Sequence, residues 1–328
     1  MAVDVGGTSM KGGLVSRGGE ILVAERRPTP RGDGVEGVLG AISAFVSDLA
    51  GISGYRQVGV GLAVPGLVAP DRAVYSAAFG WRDVPVAAFT SVPLPVALGH
   101  DVRSAGEAEL AYGAARDRRD ALFVPIGTGM AAALALSSRE TRPAREGLYG
   151  GAGGWAGQIG HTPVYPDGLP CRCGQRGCLS VYASAAAIAE RCGEASAADV
   201  VARVRAGEPE ASRVWGAAMD ALGLALATAT LLLDPEVIVI GGGLSLAGQT
   251  LLDPLRERLA ARLAFRPAPE LATSRLGVQA GLLGAGLLGW RAVAETGAET
   301  GAQTETGAQT ETGAQTETGA EAEAEAET

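Results

Sequence analysis

Three of the chain's four cysteines and one of its two histidines fall in one stretch, 157–180, and no other feature limits the possible folds so sharply. The stretch opens Gly157-Gln158-Ile159-Gly160-His161, and nine residues later comes Cys171-Arg172-Cys173-Gly174-Gln175-Arg176-Gly177-Cys178. Thiolate and imidazole are the ligands that tetrahedral zinc takes, and four of them close a structural site. Gly174 and Gly177 let the backbone reverse so that Cys178 returns to the same ion. The spacing predicts a Cys3His zinc site formed by His161, Cys171, Cys173 and Cys178, with a disulfide plus a spare thiol as the alternative. Cys192 lies outside the cluster, in a helical pattern, and reads as a buried free thiol.

At 328 residues the chain is long enough for two domains, and with 5% aromatics its core must be aliphatic. The net charge is −9, but the last 32 residues hold eight Glu and no basic residue, which leaves the rest at −1. No basic face points to nucleic acid. Asp4 and a glycine-rich turn stand where a signal peptide would carry its apolar run, and the cysteine usage fits a reducing compartment, so a cytoplasmic protein is expected. The uncharged run Ala221 to Leu233 is too short to cross a bilayer and predicts a buried helix, so no membrane partner is expected.

Apolar spacing organises the chain into two similar parts. Strands are expected at 2–5, 12–16 and 21–25, with a hairpin at Arg17-Gly18-Gly19. A helix follows at 34–49, where Val35, Val38, Leu39, Ile42, Phe45, Val46 and Leu49 recur at helical period, and strands at 57–63 and 96–98 complete a β-β-β-α-β-α-β order. After a helix at 102–112 the strand-turn-strand pattern begins again, with strands at 122–126 and 130–136 around Gly127-Thr128-Gly129. Helices are expected at 183–192, 197–205, 211–233 and 279–295, and a buried strand at 237–240. From residue 297 the chain repeats Gly-Ala-Gln-Thr-Glu-Thr and then Glu-Ala, a disordered acidic tail by composition.

Three glycine clusters follow strands. Gly6 and Gly7 permit a tight hairpin whose amides can approach phosphate oxygens, Thr8 adds a hydroxyl, and Asp4 suits magnesium held through water. Gly127-Thr128-Gly129 is the matching turn of the second part, and Gly241-Gly242-Gly243 leaves room for an adenine or ribose. No Gly-x-x-x-x-Gly-Lys-Ser/Thr run is present, so this is not a Walker loop.

Asp4-Val5-Gly6-Gly7-Thr8-Ser9-Met10-Lys11, together with His161-x9-Cys171-x-Cys173-Gly-x-x-Gly-Cys178, resembles the signatures of the ROK family of sugar kinases and sugar-responsive repressors. The resemblance implies an α/β, two-domain, actin-like (ribonuclease H-like) ATPase fold with an interdomain cleft and a structural zinc site. Residues 1–112 would form one half, completed by a C-terminal helix at 279–295, and 113–280 the other. It implies ATP, magnesium and zinc as ligands, a phosphate site that includes Lys11, and a homo-oligomer, a dimer or tetramer. His161 would both ligate zinc and touch the sugar.

Asp101 aligns with the family's catalytic aspartate, the general base for a 6-hydroxyl; by position it suits a helix N-cap equally well. Three further sugar contacts implied by the resemblance depart from the family: His100 stands where Asn is usual, and Gln158 and Ser180 each replace Glu. Loss of two carboxylates changes which hydroxyls the site can bond. The expected function is ATP-dependent phosphorylation of a glucose-like hexose. The alternatives are a kinase for a modified hexose, an amino sugar or a C7-cyclitol, or a catalytically weak sugar-binding protein. A repressor is not expected, because the phosphate motif begins at the fourth residue and leaves no room for a winged helix before it.

Overall fold

The computed structural model describes residues 1–136 and 148–297, so the acidic repeat from residue 298 onward lies outside the described residues. The chain begins with β1 (Ala2–Val5), β2 (Ser9–Val15) and β3 (Ile21–Pro28), an antiparallel meander. β2 starts three residues before its expected boundary, which puts Met10 and Lys11 inside the strand. Helix α1 (Gly34–Ala50) buries Val38, Leu39, Ile42, Phe45, Val46 and Leu49 on one stripe, as their spacing requires. β4 (Val60–Val64) then pairs parallel with β1.

The expected helix between β4 and the next core strand is absent. In its place β5 (Leu67–Ala69), β6 (Arg72–Ser76) and β7 (Trp81–Pro85) form a separate antiparallel sheet. Five prolines between 65 and 95 explain the difference, since each removes a helical donor and disfavours the helical conformation before it. β8 (Val96–His100) closes the first sheet in the order β3-β2-β1-β4-β8, and α2 (Asp101–Tyr112) follows without a loop.

The second sheet, β10-β9-β11-β12, is built from β9 (Ala121–Pro125), β10 (Ala133–Ala135), β11 (Val237–Gly241) and β12 (Glu270–Thr273). Between β10 and β11 come α3 (Ser180–Ala183), α4 (Ala185–Cys192), α5 (Ala197–Arg205) and α6 (Pro209–Leu233); α7 (Gln249–Arg262) precedes β12. Neither α7 nor β12 was expected. α6 is long and apolar enough to cross a membrane by length and composition, but half of that window is buried. Its Trp215, Met219, Leu222 and Leu226 belong to the same core as Leu122, Ile238 and Leu255.

Helix α8 (Ala280–Glu295) leaves β12 and returns to the first sheet, where Leu282, Leu283, Ala285 and Leu288 share a core cluster with Ala2 and Ala63. The approach is close because both surfaces are nearly bare. A Cβ on Gly61 would overlap the carbonyl of Ala285, and one on Gly284 would overlap that of Ser104. Where the chain passes between the sheets, after α2 and before α8, one carboxylate joins both passages. Glu109 is 0% exposed and accepts from the amides of Ala114 (2.7 Å), Leu276 (3.1 Å) and Arg275 (3.4 Å) and from the Ser274 hydroxyl.

Candidate active site

The hairpin after β1 is closed by the Gly6 amide donating to the Ser9 carbonyl at 3.1 Å. Buried Thr29, from the end of β3, braces it: the hydroxyl donates to the Gly6 carbonyl (2.8 Å) and the amide to the Thr8 carbonyl (3.1 Å). With those carbonyls engaged, the amides of Gly7 and Thr8 have no acceptor among the described residues. Open, fixed N–H groups in a turn make an anion-binding concavity. Asp4 pairs with Lys11 at 3.3 Å. Burial pushes the Asp4 pKa up; Lys11 opposes the rise and the charge of Asp101 adds to it.

The turn of the second half is similar. Gly127 N–H donates to Gly129 O (2.9 Å), its carbonyl accepts from Ala185 N–H (2.8 Å), and the Thr128 and Gly129 amides have no acceptor among the described residues. The third cluster is packed differently from the first two. A Cβ on Gly241 would strike the Phe123 ring and one on Gly242 the Ile126 backbone, so these two serve close approach of β11 to β9; only Gly243 faces open space.

Asp101 and Asp4 share one end of the first sheet. Asp4 pairs with Ala63 on β4, and Val64 pairs with His100 on β8, so two strand spacings, about 10 Å, separate the strands that carry them. Asp101 is the first residue of α2 and not its cap. That role falls to His100, whose Nδ1 accepts from the Arg103 amide at 3.3 Å. Asp101 Oδ1 accepts from the Val102 amide at 2.7 Å. Its side chain is 27% exposed, and burial pushes its pKa up to about 6. Burial, with the positive charge of Arg103, pulls His100 down to about 4, so at neutral pH the ring is uncharged. Because Nδ1 accepts, the proton is assigned to Nε2.

Donor atoms of His161, Cys171, Cys173 and Cys178 all lie within 4.8 Å of one another. Cys173 and Cys178 Sγ are 3.7 Å apart, and Cys171 Sγ is 3.9 Å from His161 Nδ1. A Zn–S bond of about 2.3 Å gives a tetrahedral S–S edge of about 3.8 Å, so the group fits zinc. All four cysteines are free, which removes the disulfide alternative, and Cys192 is half-buried. The knuckle folds tightly, with Cys171 N–H on Gln175 O (2.8 Å) and Gly177 N–H on Leu169 O (2.7 Å). Gly177 has φ +69° and lies against the Tyr165 carbonyl, leaving no room for a side chain.

Gln158 is exposed and its carbonyl accepts from the His161 amide (3.0 Å); Ser180 opens α3, directly after the knuckle. The loop that leads into Gln158 reaches the first half, where Arg103 Nη2 donates to the Gly154 carbonyl (3.2 Å) and Gly154 lies against Leu67 of β5. That loop also carries Trp155, 58% exposed. Thr29, Arg103, Trp155 and the Pro65-Gly66 turn, whose Gly66 abuts Ser76, were not singled out from the sequence. Only the Pro-Gly pair carries a local signal.

Two sheets, each with an amide-lined turn after its first strand and linked by a carboxylate-bearing helix, define a two-domain actin-like fold. The chain belongs to the ROK family, whose profile matches residues 1–291. A glucokinase of Halalkalibacterium halodurans is 33% identical over 338 aligned positions, which cover 93% of this chain and 98% of its own. An N-acetylmannosamine kinase of Yersinia pseudotuberculosis is 33% identical over 259 positions, covering 75% of this chain and 83% of its own. Among solved structures, the ROK family glucokinase of Streptomyces griseus in complex with glucose and AMPPNP superposes with a TM-score of 0.76 at 28% identity, covering 88% of this chain and 98% of that one.

Proposed function

We propose that this chain transfers the terminal phosphoryl group of ATP to the primary 6-hydroxyl of a glucose-like hexose, with Asp101 as general base. The observation that carries the reading is Asp101 itself, a carboxylate raised by burial to about 6 at the sheet end it shares with Asp4. A hydroxyl attacking phosphorus must lose its proton as the new bond forms. A carboxyl with a pKa near the working pH is mostly ionised and still basic enough to accept it. The open amides of Gly7, Thr8, Thr128 and Gly129 would hold phosphate oxygens with dipoles that need no reorientation. Gly243 leaves space for the nucleoside. Magnesium, held through water by Asp4, would neutralise phosphate charge. The site suits a dication because the Asp4 carboxylate already senses that of Asp101.

His161, Cys171, Cys173 and Cys178 would hold one zinc whose part is structural, stiffening the loop from which Gln158 and His161 meet the sugar. Residues 1–112 with the helix at 279–295 form one half, residues 113–280 the other, and the substrates lie between them. The test is an ADP-release assay over a sugar panel, with the product's phosphate position read by NMR. Measurable ATP binding without turnover of any sugar would refute the reading and leave a sugar-binding protein. A second acceptor class is carried by Gln158 and Ser180, since neither offers the carboxylate that the family presents there, and by the similarity to an N-acetylmannosamine kinase. An amino sugar preferred over glucose in the same panel would establish it.

A further inference from the structure

The cation expected at the phosphate hairpin, Lys11, has its charge engaged by Asp4 at 3.3 Å. Arg26, at the same sheet edge, gives Nε to the Ser9 hydroxyl at 2.9 Å. Arg31 is placed differently. The segment that carries it is fastened to the hairpin through both hydrogen bonds of Thr29, and Pro28 and Pro30 on either side restrict its backbone. The Arg31 amide then folds back onto the Thr29 carbonyl at 2.9 Å.

The guanidinium ends beside the turn. Nη1 lies 4.0 Å from the point a Cβ on Gly7 would occupy, and Nη2 donates to the Ala78 carbonyl at 3.1 Å. Among the described residues no carboxylate pairs with Arg31. A guanidinium holds five N–H donors in a planar fork that matches phosphate oxygens, and one hydrogen bond leaves most of them open. An unneutralised arginine, fixed at one corner, thus stands next to two open amides in a concavity that suits an anion.

Building on the kinase reading, we propose that Arg31 contacts the terminal phosphate of ATP. Nη1 donates to its oxygens while Nη2 stays on Ala78, holding the β6–β7 turn against the hairpin. In the reaction the sugar oxygen bonds to the γ-phosphorus as the bond from that phosphorus to the β,γ-bridging oxygen breaks. The hydroxyl proton goes to Asp101 and ADP leaves. Arg31 makes and breaks no covalent bond; it stabilises charge on the group in flight.

Two arms test this. Calorimetry with AMPPNP and with ADP needs no turnover: Arg31→Ala should weaken AMPPNP by about tenfold and leave ADP within about twofold, since only AMPPNP carries the contacted group. In turnover, Arg31→Ala should lower kcat by about 100-fold or more with the sugar KM within about threefold. Arg31→Lys should recover part of the loss, and added guanidinium should raise kcat of the Ala variant but not of the wild type. Equal loss of AMPPNP and ADP affinity, or an unchanged kcat with a raised sugar KM, overturns the proposal and leaves Arg31 a brace for the 77–80 turn. If the wild-type chain phosphorylates no sugar, the kinase reading fails, and the AMPPNP-to-ADP ratio still decides whether Arg31 meets the phosphate.

Discussion

A general base acts only when ionised, so the rising limb of kcat/KM against pH reports the carboxyl responsible. Burial lifts Asp101 from 3.8 to about 6, a displacement that corresponds to roughly 3 kcal/mol at about 1.4 kcal/mol per pH unit. At about pH 5 only about one tenth of such a group is ionised, against about nine tenths at pH 7. Measured with ATP saturating, kcat/KM for the sugar should therefore climb with unit slope and level off above the bend at about 6. An unperturbed aspartate would bend near 4 and leave pH 5 on the plateau. His100, held down to about 4, does not contribute to the limb. Asp101→Asn should remove about 100- to 10,000-fold of the rate. A stability measurement adds an independent sign. Because the folded pKa is raised, the ionised carboxyl costs stability above about 6 and costs none below the unfolded value of 3.8. Asp101→Asn should thus raise Tm at neutral pH and leave it nearly unchanged near pH 4. A level profile between about pH 5 and pH 8, or an Asn variant within tenfold of the wild-type rate, would refute the role of Asp101.

Elemental analysis should find one zinc per chain, and Cys173→Ser or chelation should lower Tm and raise the sugar KM; a chelated protein that melts unchanged counts against the metal. His100→Ala removes a helix cap and should cost about 0.5–2 kcal/mol in urea unfolding, whereas His100→Asn keeps an acceptor and should recover most of it. If Ala and Asn unfold alike, the imidazole does not cap α2. Gly61→Val drives a side chain into α8 and should cost about 1–3 kcal/mol or more; wild-type stability would mean that α8 is not seated on β4 as described.

What the sequence disclosed and what it withheld divide by the range of the interaction involved. The turns at Gly6–Thr8 and Gly127–Gly129, the stripe of α1 and the knuckle are written within a few neighbouring residues, and each was legible. α7 was overlooked although Leu251, Leu255 and Leu259 recur four apart, because Pro254 and a charged exterior interrupt the pattern. The β5–β7 sheet stands where the expected β-β-β-α-β-α-β order placed a helix, and the prolines there record only that a helix is excluded. Glycine is ambiguous by nature: Gly243 opens space while Gly241 and Gly242 admit a neighbouring strand, and only the position of Phe123 and Ile126 distinguishes the two uses. That His100 also caps α2 is visible only once the helix is seen to begin at Asp101. Arg31 acquires meaning from Gly7 and Ala78, 24 and 47 positions away in the chain. Glu109 is the limiting case. In sequence it is one more acid on a helix, yet it is fully buried, and its partners come from 5 to 167 residues away. Burying a carboxylate among amides is costly unless every oxygen is satisfied. The two chain passages must therefore hold their positions together for Glu109 to remain paired.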